Sequence, residues 1–266
     1  MKKTVLLICI IYGVIASYAA SAFYIETLAY TAPQAAKRDL SEIAAKDADS
    51  LTEDDYRFIY VQTGLGKAAV DSLKSLDELY DYQESYYSEP EFKCSMNSPV
   101  SFEERITGNA VKLAPLEDGD ILVTNSSHVL SWRNGHTAIV ASAEKEITLE
   151  AVVIGKNSKT QNLSKWTGYP NFAVLRLKNA DKEERSKIAE YAMEHLNNIP
   201  YNVFVGIYPA KYSAAGKAAG TQCAHLVWLA YAAYGYDIDS NRGLIVTPKD
   251  ILNSGLFEVV QTYGMG

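Results

Sequence analysis

Between Gly119 and Lys178 the chain carries four short runs rich in β-branched and apolar residues, "GDILVTNS", "HTAIVASA", "ITLEAVVIG" and "FAVLRLK", separated by polar, turn-like stretches. Runs of this length are too short for stable amphipathic helices and have the composition and punctuation of strands that fold back on one another. An antiparallel sheet is therefore the frame into which the rest of the chain must fit. Two helical segments follow it. "DKEERSKIAEYAMEHLNN" offers Asp181 as cap, with Ile188, Tyr191, Ala192 and Leu196 at helical spacing, and "GTQCAHLVWLAY", from Gly220 to Tyr231, opens an apolar helix. Between them lies an irregular Tyr- and Pro-rich stretch, "IPYNVFVGIYPAKYSAAGKAAG". Helices clustered beside a small antiparallel sheet define an α+β domain.

Upstream, from Ala32 to about Leu79, the pattern is helical. Thr52 is placed as an N-cap, Glu53, Asp54 and Asp55 fill a first turn, Phe58, Ile59 and Val61 follow, and Gly64 and Gly66 act as a stop. "KAAVDSLKSLDELY" restarts a helix, and the acidic, Tyr-rich "DYQESYYSEPEF", broken by Pro90, reads as a linker or lid. The first 22 residues stand apart from this globule. Lys2 and Lys3, the apolar "VLLICIIYGVIA" and the small residues Ala20 to Ala22 have the order of a secretory leader, so the expected divisions are a signal peptide over 1–22, a helical extension and linker over 23–100, and the main domain over 101–266. Membrane contact is expected only through that leader, should it remain uncleaved. Its removal takes two lysines and no acid, so the net charge of −7 becomes −9. Such a surface repels nucleic acid and anionic lipid.

Export leaves Cys94 and Cys223. Cys94 sits in a polar, proline-flanked stretch that reads as loop, whereas Cys223 opens the apolar helix, so a disulfide between them is not expected. The histidine two residues on, His225, points about 200° away around the helix and cannot serve that thiol. Cys223 instead shares a stripe with Leu226, Val227, Ala230 and Tyr234, which turns it inward at the first helical turn. There the unpaired N–H groups and the positive end of the helix dipole favour thiolate. Position alone leaves a nucleophile and an ordinary core cysteine equally open.

Of the other histidines, His195 falls late in an amphipathic helix and reads as solvated, and His128 falls in a polar turn, "TNSSHVL". His136 follows Gly135 at the mouth of a strand, a favourable place for a general base. Glu150 is the one charge in the apolar "ITLEAVV" and needs a partner there. Counting a short hairpin loop puts Glu150 opposite Ile139 or Val140, about 10–13 Å along the strand from His136, so that a bulge, a twist or another register is needed to bring the two together. No group of His, Cys, Asp and Glu has metal-ligand spacing, and no cofactor is expected.

The motifs "GDIL" at 119–122, "GHTAIV" at 135–140, "TLEA" at 148–151, "IPYN" at 199–202, "CAHLVWLAY" at 223–231 and "VTPKDILNS" at 246–254, in that order, resemble the permuted papain-like amidases. This is the permuted branch of the NlpC/P60 superfamily, and the likeness to its YiiX/YaeF-like group covers a little over half of the chain. The resemblance implies a circularly permuted papain-like fold in which the histidine strand precedes the cysteine helix, with Cys223 as nucleophile, His136 as general base and Glu150 holding the imidazole. Similar family members read Tyr-Cys-Ser-Glu where this chain has Gln222, Cys223, Ala224 and His225.

These features lead to the expectation of an exported cysteine amidase or peptidase, acting through a thioester on a cell-wall peptide or an N-acyl or lipopeptide amide. Gln222 is a candidate oxyanion donor, and Tyr201 and Tyr208 are candidates for lining the cleft. Two alternatives stand beside it: a cysteine-dependent acyltransferase using the same chemistry, and an inactive envelope-binding module that keeps the fold.

Overall fold

All four apolar runs form strands, and their side chains are buried on alternate sides because the sheet they build is covered on both faces. The computed structural model describes residues 2–28, 30–98, 101–108, 110–129, 132–214 and 220–265. The first half runs α1 (Lys2–Leu28), α2 (Ser41–Ala44), α3 (Glu53–Thr63), α4 (Lys67–Val70), α5 (Leu79–Tyr87), β1 (Phe92–Ser98), β2 (Ser101–Ile106), β3 (Ile121–Thr124), β4 (Ser127–Val129) and β5 (Trp132–Arg133). The second continues with β6 (His136–Ser142), β7 (Ile147–Glu150), β8 (Lys159–Asn162), β9 (Phe172–Leu177), α6 (Lys182–His195), α7 (Cys223–Ala232), α8 (Pro248–Leu252) and β10 (Phe257–Tyr263).

Among the described residues two antiparallel sheets result, a six-stranded one ordered β10-β9-β3-β6-β7-β8 and a four-stranded one ordered β1-β2-β4-β5. The fold class is thus α+β with antiparallel sheets. Strand periodicity sorts the six-stranded sheet into two cores. Ile121, Val123, Ile139, Ala141, Leu149 and Leu175 face α6 and α7, while Leu122, Ala138, Val140 and Val174 face the N-terminal helices with Ile59, Leu65 and Leu79.

Local signals explain the N-terminal layer. Thr52 and Asp55 form a reciprocal capping box at the start of α3, and Gly64 ends it in the left-handed region at φ 73°. Gly66 then passes so close to β10 that a Cβ there would lie 1.8 Å from the Val259 carbonyl oxygen. Gly66 N donates to Val260 O at 2.8 Å and Thr262 N to Gly64 O at 2.8 Å, which fastens this layer to the sheet edge. The exposed apolar side chains of α1 include Val5, Leu6, Ile8 and Ile11. The side chains of Ala20 to Ala22, at the expected leader boundary, lie outside the described residues. Among the described residues no helix is long and apolar enough to cross a membrane.

Three local expectations are corrected. The stretch read as linker or lid holds α5, which buries Leu79, Tyr82 and Gln83 at helical spacing beneath an otherwise acidic surface. Cys94 is an exposed residue of strand β1 rather than of a loop. His128 belongs to strand β4 and is buried, with Nε2 at 2.8 Å from the buried Glu104. The strand β4 was hidden by its polar composition, because buried Glu104 of β2 meets His128 and Arg133 inside the small sheet.

Candidate active site

Gly135 adopts φ 71°, and a Cβ on it would lie 2.7 Å from the Thr124 carbonyl oxygen. This turn delivers His136 to the first position of β6, paired with Thr124 of β3. On the other side of β6 the register differs from the simple count. Ile139 pairs with Leu149 and Val140 with Thr148, and a bulge intervenes before Ser142 pairs with Ile147. The extra residue of the bulge carries Glu150 one step further, to the level of Ala138, on the face and within diagonal reach of His136. Glu150 Oε2 lies 2.8 Å from His136 Nε2.

Glu150 is 0% exposed and fully satisfied. Besides His136, its oxygens accept from Lys165 Nζ at 2.8 Å, Thr148 Oγ1 at 2.7 Å and the Trp166 indole nitrogen at 3.0 Å. Lys165 and Trp166 come from a 3-10 helix, Leu163–Gly168, capped by the Asn162 side chain on Ser164 N. The Trp166 ring stacks on the imidazole with centroids 5.7 Å apart and planes 13° from parallel. Neither residue was expected from the sequence, where "LSKWTG" is indistinguishable from a surface turn. Burial opposes ionisation of Glu150, but Lys165 and His136 outweigh it and hold the carboxyl well below its usual range.

Cys223 is the first residue of α7 and is 3% exposed. Gln222 caps the helix: its Oε1 accepts from Ala224 N at 2.8 Å, and its Nε2 donates to Val246 O at 2.7 Å. The same Gln222 Oε1 also accepts from Cys223 Sγ at 3.5 Å, which places the amide directly beside the thiol. The Cys223 N–H has no acceptor among the described residues. The burial of α7 runs right round the helix from Cys223 to Tyr231, wider than the expected stripe, and Tyr234 lies beyond its end.

The thiol and the imidazole interact directly. Burial alone would depress the His136 pKa, yet the bonds to Cys223 and Glu150 raise it to about 9. Burial alone would raise Cys223, yet His136 and the backbone N–H groups of Thr137 and Ala224 bring it below the usual cysteine value. Since Nε2 faces Glu150, Nδ1 is the nitrogen left for the sulfur. The arrangement favours a thiolate–imidazolium pair braced by a carboxylate.

His225 stands apart from this chemistry. Its Nδ1 is 3.0 Å from Thr221 Oγ1 and its Nε2 is 3.1 Å from Lys211 O, and burial depresses its pKa to about 4, so it is a neutral structural histidine. Tyr201 is brought to the site by pairing with Thr221, where Asn202 N donates to Thr221 O at 2.8 Å and Thr221 N to Pro200 O at 2.9 Å. Burial and the neighbouring Cys223 together push its phenol up. Tyr208 is 82% exposed and lies with the exposed Phe204 and Ile207 on the segment after Tyr201, which packs at Gly206 against the backbone of Leu244, also exposed. Lys211 pins this segment through a buried ion pair with Asp239 at 2.5 Å. Among the described residues no group of three or more His, Cys, Asp or Glu side chains is placed to hold a metal ion.

No family model matches the chain, and no curated protein matches it. Among solved structures, the metalloprotein yiiX from Escherichia coli O157:H7 is similar at 16% identity and a TM-score of 0.44, over 56% of this chain and 99% of that one.

Proposed function

We propose that this chain is an exported cysteine amidase or peptidase built on a circularly permuted papain-like scaffold. The observation that carries the reading is the buried line from Cys223 through His136 to Glu150, with 2.8 Å between the last two. The Cys223 thiolate attacks an amide carbonyl, and the resulting oxyanion takes the N–H of Cys223 at the positive end of α7. His136 gives its proton to the leaving amine, a thioester remains on Cys223, and His136 then takes a proton from the water that hydrolyses it. Glu150 fixes the tautomer and balances the imidazolium. Export is supported by Lys2, Lys3 and the apolar run that follows them.

The exposed apolar rim of Phe204, Ile207, Tyr208 and Leu244 favours an N-acyl or lipopeptide amide over a peptidoglycan peptide. The same thioester serves transfer to an amine acceptor, so the product assay must identify the acceptor. Peptidoglycan fragments and N-acyl amino acids are incubated with the native protein and with Cys223→Ala, and the mass carried on Cys223 is read in parallel. Cysteine-dependent release of one class with an acyl adduct on Cys223 is the expected result. Absence of any adduct across both classes, or cleavage that survives Cys223→Ala, overturns the proposal.

A further inference from the structure

The buried charges alternate in sign outward from the thiol. Cys223 faces His136, and His136 Nε2 and Lys165 Nζ both lie 2.8 Å from one atom, Glu150 Oε2. Lys165 also reaches Glu103 Oε1 at 3.5 Å, and Arg105 pairs with the other oxygen of Glu103. The line leaves the six-stranded sheet through the 3-10 helix and ends on β2 of the four-stranded sheet. Its members are shielded, with Lys165 17% and Glu103 4% exposed at the side chain. Tyr169 supplies a further bond to Glu103 Oε1 at 2.9 Å, and the Arg105 guanidinium lies 3.8 Å from the Tyr169 ring centroid.

A carboxylate whose only cation is an imidazolium holds that proton firmly, which hinders its delivery to a leaving group. Here a second cation occupies the same oxygen. We propose that Lys165 is a positioning residue that, by sharing Glu150 Oε2 with His136, limits the carboxylate's hold on the imidazolium, while Glu103 on the second sheet attenuates Lys165. The groups facing His136 are Cys223 from α7, with Tyr201 beside it, Glu150 from β7, Lys165 and the stacked Trp166 from the 3-10 helix, and Glu103 from β2. Lys165 acts on the imidazolium in the direction opposite to Glu150 and the thiolate. The consequence for turnover rests on the cysteine-hydrolase reading, whereas the electrostatic role does not.

The test follows the side-chain NMR titration of His136 in the full chain, together with the pH dependence of Cys223 alkylation by iodoacetamide. Lys165→Met is expected to move the His136 titration upward by about one pH unit, and Lys165→Arg to restore it. Glu103→Gln is expected to move it downward, because it leaves Lys165 undivided. Opposite signs in the two variants cannot arise from general loosening. An unchanged or lowered titration in folded Lys165→Met, or shifts of the same sign in both variants, overturns the proposal. Should Lys165→Met not fold, Glu103→Gln decides: a downward shift supports the role and any other result refutes it. Titration shifts of the expected signs in a protein that cleaves no amide would leave this role standing and sink only the hydrolase reading.

Discussion

Glu150→Gln keeps the shape of the site and removes one charge from it. In the native protein Glu150 accepts from His136 and Lys165 at 2.8 Å each, from Thr148 at 2.7 Å and from Trp166 at 3.0 Å. An amide in its place loses the charge-assisted share of the bond to the imidazolium, worth about 1.5–3 kcal/mol. That corresponds to one to two pH units on His136, so the thiolate–imidazolium pair falls about 10- to 100-fold against the neutral pair. The rate of Cys223 alkylation by iodoacetamide at pH 7 falls accordingly, and its rise shifts toward alkaline pH. Cys9 and Cys94 are exposed and also react, so the measurement is made on the Cys223 peptide or in a chain with both replaced by serine. A second readout is stability, because Lys165 loses its nearer anion: about 3 kcal/mol is expected, or a fall in Tm of roughly 6–12 °C. Alkylation of folded Glu150→Gln as fast as that of the native protein from pH 5 to 9 would refute the carboxylate's role.

Three further outcomes are expected. His225→Phe leaves the pH profile of Cys223 alkylation unchanged, since both ring nitrogens are bonded away from the thiol; a shifted profile in the folded variant would implicate His225 after all. Glu103 sits at about 2 against 4.5 when unfolded, because Lys165 and Arg105 outweigh its burial. Its depressed value contributes about 3 kcal/mol that is complete above pH 4.5 and disappears as pH falls through about 2, so urea unfolding should show an acid loss that shrinks in Glu103→Gln. Gly206→Ala, at φ 103° with its new Cβ 2.0 Å from the Leu244 carbonyl oxygen, forces the rim segment outward and lowers Tm; an unchanged Tm would contradict the packing described.

How far the sequence was readable depended on whether one physical signal acted alone. The apolar runs of β3, β6, β7 and β9 were legible because burial on either side leaves little polar residue to blur them. Cys223 was legible as an inward thiol at a helix start, and Glu150 as a charge stranded among apolar neighbours. Their connection was not, because it turns on a single bulged residue between Val140 and Ser142, which no pattern of hydrophobicity marks. Lys165 and Glu103 were hidden for another reason: a buried ion pair uses the residue types of an exposed surface. Gln222 shows the limit of reasoning from residue type, since an amide suits an oxyanion as well as a helix cap, and its oxygen's role as the cap of α7 on Ala224 N was not legible.

The fastening of the N-terminal helices to β10 also sets the order in which the molecule can be completed. Tyr60 and Thr262 touch across a separation of 202 residues, and Thr31 N donates to Gly264 O at 2.9 Å. A chain emerging at about 5–20 residues per second holds its early helices for about 10–40 s before their partner strand exists. During that interval the apolar face of the helices, with Ile59, Leu65 and Leu79, lacks the β10 edge it docks on, and non-local closure of this kind is slow even once the partner is present. Completion of this protein is therefore a race between late docking of β10 and misassociation of the helices that wait for it.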